Sequence, residues 1–126
     1  MNLVDSCGWL EYFADGPHAD FYAPAIQDTA LLIVPTICIL EVFKRVLQQR
    51  GEDTALQIVA AMHQGQIVTL NASIALRAAK AGSELRLPLA DSVILATAEA
   101  YGALIWTQDS HFKKFTGVRY VEKIDN

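Results

Sequence analysis

The chain has 126 residues, 52% of them apolar, and a formal net charge of -4. That length suits one domain, read here as spanning residues 1–126. The acidic balance argues against a passive nucleic-acid-binding module, which relies on a basic footprint, but not against an enzyme whose acidic cluster holds cations. Cys7 and Cys38 are too few and too far apart for a disulfide framework or a zinc-ligand set. They read as small core hydrophobes of a reducing compartment. Asp5 interrupts the N-terminal region where a signal peptide needs a basic start and an unbroken apolar run. The longest apolar-rich uncharged piece, residues 29–40, is too short to span a membrane and holds Pro35. A cytoplasmic protein with no membrane partner is expected. The apolar fraction is slightly rich for a lone monomer and hints at a covered surface.

Residues 2–4 form a short apolar run that predicts a buried strand, with Asp5 directly after it. Ser6 is a candidate N-cap for a short aromatic helix carrying Trp9, Leu10, Tyr12 and Phe13, stopped by Gly16-Pro17. A second helix follows over 18–28, its regularity limited by Pro24. Leu31-Leu32-Ile33-Val34 lacks polar alternation, as expected of a strand covered on both faces. Pro35 and Thr36 open a long helix that runs to Gly51. Asp53 or Thr54 caps the next helix, which ends at Gly65. Ile67-Val68-Thr69-Leu70 is a third strand, and Asn71 caps an amphipathic helix over 72–85 with Ile74, Ala78, Ala81 and Leu85 on one face.

Residues 87–112 then read as a helix, a Gly stop at Gly102, a buried strand and a short acidic turn. Tyr120-Val121 is a candidate last edge strand. Strands alternating with helices predict an α/β fold: a three-layer α/β/α sandwich with a mostly parallel sheet of four or five strands. Such sheets bind ligands beyond the carboxyl ends of their strands. Asp5 and Asp109 both fall there.

Four acids carry the functional reading, and each has a plainer alternative. Asp5 suits a helix cap. Glu41 shares a helical face with Lys44, Arg45 and Gln48, so it suits either a solvated ion pair or a carboxylate facing a cleft. The apolar first half of its helix favours the cleft. Asp91 shares a face with Ile94 and Leu95, where a lone carboxylate is costly to bury and only partly offset by the helix dipole. Asp109 also suits an ordinary turn, with Phe112 as its anchor. Jointly the plain readings weaken. Converging carboxylates repel one another, and a hard cation relieves the repulsion; Mg²⁺ or Mn²⁺ fits an oxygen ligand set.

The run Asp5-Ser6-Cys7, Glu41 on its helix, Leu89-Ala90-Asp91-Ser92-Val93 and Thr107-Gln108-Asp109-Ser110-His111-Phe112 together resemble the PIN-domain family, and within it the VapC toxins of toxin–antitoxin pairs. The resemblance spans nearly the whole chain. It implies a metal-dependent endoribonuclease whose acidic quartet is Asp5, Glu41, Asp91 and Asp109, with hydrolysis leaving a 5′-phosphate. In the mechanism read from it, Asp5, Asp91 and Asp109 hold one Mg²⁺ or Mn²⁺. Glu41 orients or deprotonates the attacking water, or holds a second ion. Ser6 and Thr107 match the small hydroxyl positions that support the acidic site.

Two positions depart from the family pattern. Cys7 replaces a common Ser, and His111 stands where many members carry a further Asp, which puts a second metal in doubt. Lys44, Arg45, Arg86, Lys113 and Lys114 are candidates for RNA backbone phosphates, or simply solvated charge. His111 reads either as an RNA contact or as a surface turn histidine. The resemblance also implies a VapB-like antitoxin and a homodimer. Trp9, Tyr12, Phe13, Phe21 and Tyr22 either line the antitoxin groove or belong to the core.

Two other classes compete. A catalytically inactive PIN-like module would only bind a partner, and a phosphohydrolase would use an Asp nucleophile after the first strand. Haloacid-dehalogenase-like enzymes need a second Asp two residues on, where this chain has Cys7.

Overall fold

The computed structural model describes residues 1–124. Five strands form one sheet: β1 (Asn2–Val4), β2 (Leu32–Pro35), β3 (Gln66–Val68), β4 (Leu104–Thr107) and β5 (Val118–Tyr120). Their order is β3-β2-β1-β4-β5, and every pairing is parallel. The helices are α1 (Ser6–Phe13), α2 (Ala19–Gln27), α3 (Thr36–Arg50), α4 (Glu52–Met62), α5 (Ala72–Leu85) and α6 (Leu89–Tyr101). They flank the sheet as the predicted α/β/α sandwich. The expected edge strand exists, and the sheet is wholly rather than mostly parallel.

The burial pattern follows from that parallelism. Leu3, Val4, Leu32, Ile33, Val34 and Ile105 are almost fully buried, because crossover helices cover both sheet faces. α6 is buried along nearly its whole middle, from Ser92 to Ala98. It packs tightly on α5, where Gly82 leaves room for the Ser92 side chain. Trp9 and Tyr22 belong to the core, and Tyr12, Phe13 and Phe21 pack against it. The aromatic set is therefore largely core, with Trp9 and Phe13 also lining a surface groove.

Local details move several predicted boundaries. The N-cap of α1 is Asp5, not Ser6: the Asp5 side chain accepts from the Gly8 N–H. α2 continues through Pro24. Pro24 and Asp20 are both exposed, so water meets the carbonyl left without an N–H partner. A one-turn helix over Thr29–Leu31 shifts β2 one residue downstream. Gly51, not Asp53 or Thr54, starts α4: its φ of 88° lets one residue end α3 and begin the next helix. β3 starts at Gln66 and ends at Val68; beyond it, the Leu70 N–H donates to the Thr36 hydroxyl at 3.3 Å. Asn71 caps α5 as expected, accepting from the Ile74 N–H.

Topology positions the site. From β1 the chain steps outward to β2 and β3, then crosses back to β4 on the other side of β1. The order therefore reverses between β1 and β4, and the carboxyl ends of these two strands flank the crevice where open α/β sheets bind ligands.

Candidate active site: four carboxylates at the sheet edge

The β1–β4 register pairs Val4 with Trp106, which sets Asp5 beside Thr107. Asp5 is 3% exposed. One of its oxygens accepts from the Gly8 N–H at 3.0 Å and the Cys7 thiol at 2.8 Å. The other accepts from the Thr107 hydroxyl. That hydroxyl in turn accepts the Asp109 N–H at 2.9 Å. Thr107 is fully buried and ties the two aspartates together through one oxygen.

Burial pushes the Asp5 carboxyl up to about 6, against the pull of its Cys7, Thr107 and Gly8 donors and with a further push from the Asp109 charge. Burial, then the Asp5 charge, pushes the Cys7 thiol up as well. It stays protonated and remains a donor.

Glu41 reaches the site from α3. The Ser6 hydroxyl donates to Glu41 Oε1 at 2.6 Å, so the residue after Asp5 orients the second acid. Among the described residues Glu41 forms no ion pair with Lys44 or Arg45. Asp91 stands in the first turn of α6, whose N-cap is Pro88. It is not the cap. Burial first, then the Asp109 charge, pushes its carboxyl up to about 6. Asp5, Glu41, Asp91 and Asp109 line one cleft of about 250 Å³ together with Ser6 and Arg45.

His111 is the residue that sequence reasoning placed worst. The surface-turn reading describes its place but misses its partners. The ring is 54% exposed, yet its Nδ1 lies 2.8 Å from Asp91 Oδ2 and 3.0 Å from Asp109 Oδ1. The Asp109 charge, followed by Asp91, raises its pKa despite some loss of solvation. Donor atoms of Asp91, Asp109 and His111 all lie within 4.8 Å of one another. Asp5 is not in that set. A signal for His111 was present in its i+2 spacing from Asp109, but only the approach of α6 supplies the second carboxylate.

The cationic candidates separate. Arg45 lines the acidic cleft. Lys44 lines an adjoining groove with Glu41 and Gln48. Arg86 ends α5 in a left-handed conformation and lines neither groove. Lys113 pairs with Glu122 at 3.6 Å, and Lys114 lies over the Phe115 ring. Lys123, not singled out from sequence, lines the grooves on the Cys7–Gln108 side.

Gly8 is a further requirement that motif reading missed. A Cβ there would lie 2.6 Å from Tyr22 Cε1 and 2.6 Å from Val4 Cγ1. Gly8→Ala is expected to lower stability by about 2 kcal/mol through overpacking. A denaturant midpoint equal to that of the parent would show that the core yields there.

The donor set fits a hard divalent ion. Carboxylate oxygens dominate it, and a cation offsets both the burial that chiefly raises the Asp5 and Asp91 pKa values and the added push of the Asp109 charge.

This fold and this acidic edge define the class. The chain belongs to the PIN-domain family, whose model matches residues 3–118. Solved structures share the fold. A toxin–antitoxin complex from Klebsiella pneumoniae aligns with a TM-score of 0.81 at 22% identity, covering 94% of this chain and 96% of that one. VapC20 of Mycobacterium tuberculosis, described as a sarcin–ricin loop cleaving toxin, aligns at 0.77 and 15% identity, covering 94% and 99%. VapBC2 of Rickettsia felis, bound to promoter DNA, aligns at 0.74 and 12% identity, covering 96% and 97%. No curated protein matches the chain by sequence. No helix among the described residues is long and apolar enough to cross a membrane.

Proposed function

We propose that this chain is a single-domain, divalent-metal-dependent endoribonuclease of the VapC toxin type, neutralised by a VapB-like antitoxin. One observation carries the reading: carboxylates from four separate segments meet in one cleft at the sheet's reversal point. In that reading Asp5, Asp91 and Asp109 hold Mg²⁺ or Mn²⁺. The bound ion supplies polarisation of the scissile phosphodiester and a more acidic water. Glu41, with Oε1 fixed by the Ser6 hydroxyl, presents its other oxygen to orient the attacking water or take its proton. Thr107 holds Asp5 and Asp109 in register. Arg45 is the cation placed to meet a backbone phosphate.

The partners rest on the family and its structural relatives. A groove of about 350 Å³ beside the acids, lined by Trp9, Leu10, Phe13, Arg45 and Arg50, is the proposed seat of an antitoxin segment. Exposed leucines such as Leu40, Leu76 and Leu89 supply apolar surface for a homodimer. A cytoplasmic location follows from an RNA target.

Incubation with a defined RNA tests the activity. Cleavage is expected with Mg²⁺ or Mn²⁺, is lost in EDTA, and returns when the ion is restored. Cleavage that persists in EDTA would remove the metal from the mechanism. Tight Mn²⁺ binding without cleavage of any RNA would favour a binding module.

A further inference from the structure

We propose that His111 is a direct ligand of the divalent ion through Nδ1, and that this nitrogen makes the centre favour a first-row transition ion such as Mn²⁺ over Mg²⁺. The inference rests on the reading that Asp91 and Asp109 bind such an ion.

Geometry is the first support. Nδ1 stands 2.8 Å from one Asp91 oxygen and 3.0 Å from one Asp109 oxygen. Donors on adjacent corners of an octahedron with bonds of ~2.1 Å are separated by ~3.0 Å. The placement that lets the ring bond both carboxylates therefore also suits a shared coordination edge. An ion there takes the place of the Nδ1 proton and draws in the Asp91 and Asp109 oxygens, whose donor atoms lie within 4.8 Å of each other and of Nδ1.

The local backbone is the second support. Asp109 caps the one-turn helix Ser110–Phe112, accepting the His111 N–H at 2.9 Å. Phe112 is fully buried and pins that turn. Carboxylate and imidazole therefore share one anchored segment, while Asp91 comes from the separate helix α6. Exposure agrees: the His111 side chain is 54% exposed, against 13% for Asp91 and 28% for Asp109. An ion arriving from solvent meets the imidazole at the outer edge of the two acids.

The chemistry gives the consequence. An all-oxygen set suits Mg²⁺ and Mn²⁺ alike, whereas an imidazole suits transition ions and offers Mg²⁺ little. A further Asp at position 111 would give the oxygen-only set.

Pulsed EPR on the full chain loaded with Mn²⁺ tests the ligand without reference to activity. The expected result is a ¹⁴N coupling of directly bound imidazole, absent in His111→Ala and His111→Asp while both still bind Mn²⁺. Competition titration should show the preference for Mn²⁺ over Mg²⁺ falling at least tenfold in His111→Asp, the lower end of what loss of even an outer partner costs. Bound Mn²⁺ with no ¹⁴N coupling, or a coupling that survives in His111→Ala, overturns the inference and leaves the proposed nuclease intact. Mn²⁺ binding indifferent to Asp91→Asn overturns both.

Discussion

Asp91→Asn is expected to cut RNA cleavage on the order of a thousandfold, because a bound ion contributes several kcal/mol of transition-state stabilisation. The substitution separates chemistry from folding unusually well. Asp91 is not the N-cap of α6 and, among the described residues, its carboxylate pairs only with His111. Its loss removes a favourable helix-dipole contact of about 0.3–1 kcal/mol. It also removes repulsion with Asp109, one of the causes that raise the Asp91 pKa. Stability should therefore change little while activity collapses. Single-turnover cleavage at saturating Mn²⁺, with circular dichroism of the same sample, is the measurement. A variant folded like the parent and cleaving within tenfold of it would take Asp91 out of the mechanism.

Metal-free protein should lose stability as pH rises from about 4 to about 6. Asp5 has an ordinary value of 3.8 and is pushed to about 6 in the folded chain. Between those values the unfolded chain has given up the proton that the folded chain keeps, so raising the pH favours unfolding. About two pH units correspond to roughly 3 kcal/mol, and Asp5 is buried enough to feel most of it. Asp91 titrates in the same direction, with a smaller weight because it is only partly buried. His111, also raised, adds a loss of the same sign as pH climbs past its ordinary value of 6.5. The metal-free melting temperature should therefore fall across pH 4.5–6.5, and the slope should be shallower in Asp5→Asn. Saturating Mn²⁺ should restore stability most above pH 6, where the carboxylates are ionised, by about 2.7 kcal/mol at a hundredfold excess over the dissociation constant. A melting temperature that rises with pH across the window in EDTA would contradict the burial-raised carboxyl described for Asp5.

The residue order alone determined much of this protein. Apolar runs without alternation announced parallel, doubly covered strands, and Asn71 and Gly102 marked helix ends through local chemistry acting within a few residues. The acids were legible as a set because Asp5 and Asp109 follow strands, Asp91 heads a helix and Glu41 lies on the face of another, and their motifs carry the family resemblance. Tertiary structure decided what spacing along the chain does not encode. Only the parallel register of β1 and β4 brings the Thr107 hydroxyl to Asp5. Only the packing of α1 on α3 joins Ser6 to Glu41, 35 residues apart. And only the meeting of α6 with the turn after β4 puts the His111 ring between Asp91 and Asp109. Such contacts depend on where whole elements lie, and that is fixed by burial of the core rather than by the residues that meet.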